Sequence, residues 1–270
     1  TLPSENEQYA AFKDIVEGMD GKVVTIRTLD VGSDKLAYSL GEHINPSVNP
    51  ALGLRAIRLS LKVNKLLDVQ LSAMLRASAH GQLRILLPMI NSIEEILRVR
   101  ESLDRAVNRL LQKGVPMSDP LPELGIMVET PGAALAADSL AKHCDYFSIG
   151  TNDLTMYTLA ADRGDDQVAH LYDPLHPAVL RLIRYTVEAG GNAGIAVNLC
   201  GEMAGKPKFT SLLIGLGLRN LSMSATSLPR VKQRILGLEM QSIKTQTQQI
   251  MEQPDSIAIA NLLDKYNSIE

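Results

Sequence analysis

Cysteine is scarce in this chain: Cys144 and Cys200 are the two in 270 residues. They lie far apart, with no Cys-x-x-Cys and no Cys/His spacing, so neither a disulfide framework nor a structural zinc is indicated. An excess of one charge is also missing, since 27 basic residues face 30 acidic ones and the pI is ≈ 6.0. That balance gives no basic footprint for nucleic acid or for an anionic membrane surface. No apolar run approaches the roughly 20 residues of a membrane span, and the opening TLPSENEQYA lacks the charged and apolar regions of a signal peptide. The chain therefore reads as cytoplasmic, with no nucleic-acid and no membrane partner. The five histidines, His43, His80, His143, His170 and His176, show no HExxH or paired spacing and read as surface or capping residues. GLGLRN (215–220) lacks the third glycine of a dinucleotide fingerprint. In GEMAGKP (201–207) the glycine spacing of a phosphate loop is one short, and Pro207 replaces the metal-binding hydroxyl.

What is present is an alternation. With 45% hydrophobic residues the chain can bury a large core, enough for one α/β domain of barrel size over 1–270, with no internal boundary. Apolar, β-rich runs predict strands over 23–29, 83–89, 124–129, 145–149, 195–199 and 220–224, with helical patterns between them. Strand-helix repeats of this kind build a parallel sheet. Ser4 with Glu7 and Ser92 with Glu95 form capping boxes, and Pro131 and Pro229 mark first helical turns. Residues 112–122, QKGVPMSDPLP, predict a surface loop. The polar, glutamine-rich stretch from about 240 ends in a short helix capped by Asp255.

The richest segment is SIGTNDLTMYTLAADR (148–163). Gly150 lets backbone approach a ligand, Asn152 and Asp153 offer an amide and a carboxylate, and Arg163 adds a guanidinium. An ordinary loop with Asn152 or Asp153 as helix cap is the alternative. Arg27, Glu129, Asp153 and Cys200 each fall at or just past the C-terminal end of a different predicted strand, the end where parallel barrels gather their active sites. Glu129 and Asp153 supply two hard oxygens of the kind that hold Mg²⁺ when substrate oxygens and water complete the octahedron. Arg27 and Arg163, with Arg55 as a possible third, can clamp a phosphate or carboxylate. Cys200, flanked by small residues in LCGEMAG, suits a general acid, although a lone cysteine is also ordinary buried packing. Cys144 reads as packing.

RTLDVGSDK (27–35), NPALGLRAIR (49–58), VETP (128–131), SIGTNDLTMYTLAADRGD (148–165), CGEMAG (200–205) and LSMSATSLPRVK (221–232) resemble, in order and over nearly the whole chain, the phosphoenolpyruvate-protein phosphotransferase family, enzyme I of the bacterial phosphotransferase system. The resemblance implies a phosphoenolpyruvate-binding (β/α)₈ barrel of the TIM type, which is the C-terminal, dimerising domain. Phosphoenolpyruvate binds there with Mg²⁺, its phosphoryl group passes to a histidine on a swivelling domain and then to an HPr-type carrier, and pyruvate is released. Carried over, Glu129 and Asp153 match metal ligands, Arg27, Asn152, Asp153 and Arg163 match substrate contacts, and Cys200 matches the proton donor. Pyruvate phosphate dikinase and phosphoenolpyruvate synthase share the barrel and the Cys-Gly-Glu core, and the TLAADRGD continuation favours enzyme I.

The departures carry expectations too. The family's barrel has two strands before residues 23–29, the second ending in a further substrate arginine, and neither they nor the swivelling domain are in this sequence. Autophosphorylation by the chain alone is therefore not expected. A lost charge-assisted phosphate contact predicts binding about ten- to a hundredfold weaker. Unpaired sheet edges predict a dimer or a swapped arrangement rather than a monomer. Met156 stands where the family usually has Gln, Lys206 where it usually has Asp, and Ser33 where Gly is common. The competing expectation is a phosphoenolpyruvate-binding and dimerisation module without turnover. The sugar and nitrogen branches of the family both fit.

Overall fold

The computed structural model describes residues 2–32 and 49–269, so Ser33 and His43 lie outside the described residues. The chain divides into two compact units, Thr1–Ile126 with His143–Asp145, and Met127–Lys142 with Tyr146–Glu270.

In the first unit, helix α1 (Glu5–Gly18) starts at the predicted capping box. Ser4 Oγ accepts the Glu7 N–H at 3.3 Å, and the Glu7 carboxylate accepts the Ser4 N–H at 2.7 Å. The backbone hydrogen bond from Ser4, then its hydroxyl, holds the Glu7 carboxyl below its usual range. Strands β1 (Val24–Arg27), β2 (Leu83–Leu87) and β3 (Glu123–Val128) run parallel, in register at Val24 with Leu83 and at Arg84 with Glu123. Between them lie α2 (Ala56–Lys62), α3 (Asn64–Ser78) and α4 (Ile93–Gln112). α4 begins at the second predicted capping box and buries Ile96, Val99, Leu103, Ala106 and Leu110, three or four residues apart. That spacing puts one stripe of the helix on the core.

The second unit carries α5 (Pro131–Leu135), α6 (Ala137–Leu140), β4 (Tyr146–Gly150), α7 (Thr151–Leu159), α8 (Pro177–Ala193), β5 (Ala196–Cys200), α9 (Thr210–Gly215) and β6 (Asn220–Leu221). α10 (Leu228–Leu236), α11 (Met240–Met251) and α12 (Ser256–Ile269) follow. β4 and β5 are parallel with Gly150 opposite Cys200, and β5 and β6 are parallel with Leu199 opposite Leu221. The fold class is α/β with parallel strands, and all six predicted strands are present. Neighbouring strands are sequential within each unit, as the repeat of strand and helix requires.

Strand ends shift by one to three residues from the sequence reading, and two regions differ in kind. The last strand stops at Leu221, because Ser222 to Ser227 turn into α10 with the Ser224 hydroxyl bonded to Thr226 and Ser227. The glutamine-rich stretch is helical. Glu239 caps α11 by accepting the Ser242 N–H, and Ile243, Thr247 and Ile250 bury one stripe that the glutamines obscure. The Asp255 cap is as expected, its carboxylate accepting the Ala258 N–H at 2.8 Å. His176 caps α8 through Nδ1, and Cys144 is buried.

Candidate functional site

β4 and β5 end side by side, and Thr151, Asn152, Cys200 and Glu202 meet at those ends. Gly150 is the last residue of β4 and the N-cap of α7, with no side-chain cap on the helix. A Cβ at position 150 would lie 2.8 Å from Glu129 Oε2 and 2.9 Å from Glu129 Cβ, so only glycine fits there. Glu129 follows β3 directly and is buried to 2% exposure. A carboxylate so deep is costly without compensating partners, which makes its place against the start of α7 a deliberate one. The next residue, Thr130, caps α5 by accepting the Ala133 N–H.

Asn152 and Asp153 occupy the first turn of α7. Asn152 does not cap the helix. Its Oδ1 accepts the Glu202 N–H at 3.1 Å across the strand ends. With the carbonyl side committed, the carboxamide presents its Nδ2 donors elsewhere, which suits an anion. Thr151 Oγ1 adds a second crosslink by donating to the Cys200 carbonyl at 3.1 Å. Gly201 makes both possible. Its φ is 104°, and a Cβ there would run into Thr151 Oγ1 and reach 3.2 Å from Asn152 Oδ1.

Cys200 is the last residue of β5 and is half-buried, so its thiol is not pure packing. Sγ donates to the Ile149 carbonyl at 3.5 Å and accepts from Ser148 Oγ at 3.4 Å. Ser148 was not singled out in the sequence, although it lies two residues before Gly150 on β4. A hydroxyl aimed at sulfur stabilises the thiolate left when the proton departs.

Arg163 lies beyond α7, and its Nη1 holds Glu202 Oε1 at 2.7 Å. Lys206 Nζ approaches Glu202 Oε2 at 3.5 Å. Tyr172 is a further residue that spacing alone does not reveal. Burial pushes its hydroxyl above the usual tyrosine range, partly offset by a hydrogen bond to Thr155 and the charge of Arg163, while Glu202 and Asp153 add to the rise. A cavity of ≈ 510 Å³ opens at Cys200, lined also by Asn152, Glu202, Lys206, Ser222 and Ser224.

The structure thus places Glu129, Asn152, Asp153, Arg163 and Cys200 in the second unit. Arg27 and Arg55 belong to the first, where both hold Asp30 at 3.0 Å. Among the described residues no three His, Cys, Asp or Glu side chains form a metal cage. Two carboxylates with hard oxygens remain the donor set. They fit a Mg²⁺ that takes its other ligands from substrate and water, rather than a cation needing an all-protein cage.

Residues 1–240 match the family described as PEP-utilising enzyme, PEP-binding domain. The chain belongs to this family. Among relatives of the PEP-utilising domain is the phosphoenolpyruvate-protein phosphotransferase of Haemophilus influenzae, 44% identical over 98% of this chain and 46% of that protein. The protein of the same name from Cupriavidus necator is 45% identical over 93% of this chain and 43% of its own length. The chain therefore spans about half the length of the curated relatives it matches. A citrate lyase of solved structure from Burkholderia xenovorans is 16% identical with a TM-score of 0.46, covering 75% of this chain and 69% of that one, a likeness too slight to bear on the chemistry. Among the described residues of this PEP-binding domain no helix is long and apolar enough to cross a membrane.

Proposed function

We infer that the chain is the phosphoenolpyruvate-binding part of a phosphoenolpyruvate-protein phosphotransferase. The observation that carries the reading is the joining of the β4 and β5 ends, where the Asn152 carbonyl is tied to Glu202 and the Cys200 thiol is held between Ser148 and Ile149. Family membership supplies the substrate class. Arg163 and the Asn152 amide bind substrate oxygens, and Asp153 serves both substrate and metal. Glu129 and Asp153 would hold Mg²⁺, whose chemistry when bound is to neutralise charge on the phosphoryl group.

The reaction then asks little covalent work of this chain. A histidine nitrogen of a swivelling domain forms the new N–P bond as the bond between phosphorus and the enol oxygen breaks. The enolate takes a proton at its methylene carbon from Cys200 Sγ and becomes pyruvate, leaving a thiolate that Ser148 stabilises and solvent reprotonates. The histidine passes the phosphoryl group to an HPr-type carrier in the cytoplasm, and two copies of the chain pair as a homodimer. Both of these partners rest on the resemblance to enzyme I.

Calorimetric titration with phosphoenolpyruvate tests the site, first with Mg²⁺ and then with EDTA. Heat that depends on Mg²⁺ and is lost in Glu129→Ala is expected. Heat unaffected by EDTA and by the substitution would remove the metal role of Glu129, and no heat under any condition would remove the binding function from this chain.

A further inference from the structure

The carboxylate of Glu202 occupies the guanidinium that the reading above assigns to substrate, and it has a second cation waiting beside it. Glu202, Met203, Ala204 and Gly205 form a turn after β5, anchored by Met203 and Ala204, which are 2% and 1% exposed. The Glu202 N–H is fixed on Asn152 Oδ1, so the backbone cannot follow a moving side chain. The side chains themselves are free to re-pair, with Arg163, Glu202 and Lys206 exposed by 45%, 56% and 50%. Arg163 meets Oε1 at 2.7 Å, whereas Lys206 stands 3.5 Å from Oε2, a contact long enough to tighten. Exposed ion pairs are weak, so an incoming oxyanion can displace this one.

We propose that Glu202 is an internal competitor for Arg163 and that Lys206 is the alternative partner receiving its carboxylate when an anionic ligand takes the guanidinium. Glu202 and Lys206 are positioning residues: they set how readily Arg163 is released, and neither touches the reacting atoms. Glu202 lowers affinity by holding Arg163, and Lys206 restores part of it by drawing Glu202 away. The proposal rests on the assignment of Arg163 as a substrate contact, so its test includes that residue.

The experiment is a double-mutant cycle on the full chain, read as phosphoenolpyruvate affinity by calorimetry at fixed Mg²⁺. Glu202→Gln tightens binding, and Lys206→Met weakens it, each by roughly two- to fivefold as expected for exposed pairs. In the Glu202→Gln background the Lys206→Met change has no effect, and Lys206→Arg behaves as the unaltered chain. Equal weakening by Lys206→Met in both backgrounds would mean direct contact with ligand and overturn the proposal, as would weaker binding in Glu202→Gln. Arg163→Met separates the two levels. Unchanged affinity there removes the substrate role of Arg163 and this inference with it, whereas reduced affinity with additive effects at 202 and 206 removes this inference alone. Absence of binding in every protein overturns both.

Discussion

Asp30 and Glu202 are one motif in two settings, a carboxylate held by two cations. In the first unit Asp30 accepts Arg27 and Arg55, both at 3.0 Å, with its side chain 9% exposed and that of Arg55 15%. In the second unit Glu202 accepts Arg163 and Lys206 with its side chain 56% exposed. Water is what separates them. Around Asp30 little solvent is available to replace a lost partner, so the cluster acts as structure between the end of β1 and the start of α2. Around Glu202 solvent screens the charges, so the same motif contributes little to stability and stays adjustable.

The largest effect that would break this contrast is at Asp30. Asp30→Ala leaves two guanidinium groups facing each other and is expected to cost about 3 kcal/mol in urea unfolding. Glu202→Ala is expected to change stability by less than about 1 kcal/mol. Similar losses for the two would show that exposure does not decide. A sharper form uses the two arginines of one cluster. Arg55→Ala should cost about 2 kcal/mol, because its charge is mostly shielded from water, and Arg27→Ala, with 47% exposure, less than half as much. The smallest effect lies at alkaline pH. Burial first, then Glu202 and Asp153, raise the Tyr172 pKa above 10.0, against Thr155 and Arg163. The folded state therefore favours neutral Tyr172, and its contribution is intact below the unfolded pKa. As pH rises from there through the higher folded pKa, the unfolded chain loses its proton first and stability is lost. Tyr172→Phe should flatten that alkaline decline. Glu202→Ala should lower the Tyr172 pKa in an NMR titration, since it removes one of the charges raising it.

The strands and both capping boxes were legible because each is a short-range pattern. The Ser4–Glu7 and Ser92–Glu95 spacings satisfy helix-end N–H groups through neighbours three residues away, whatever lies beyond. α11 was not legible, since Ile243, Thr247 and Ile250 are too few among glutamines to declare a stripe until α9 packs against them. At the site, the positions of Arg27, Glu129, Asp153 and Cys200 at strand ends could be read from where apolar runs stop. The partners could not. Ser148 under the thiol and Glu202 on Arg163 are separated from those partners by 52 and 39 residues.

The sequence by itself determined the α/β alternation, the family resemblance and the residue types of the site, because periodicity, caps and motif order are local along the chain. Tertiary structure alone decided which way Asn152 presents its amide, why position 150 admits only glycine, and that Arg163 is already matched to a carboxylate. Those are consequences of strands β4 and β5 ending together and of how much water reaches each charge, and both quantities exist only once distant segments are packed.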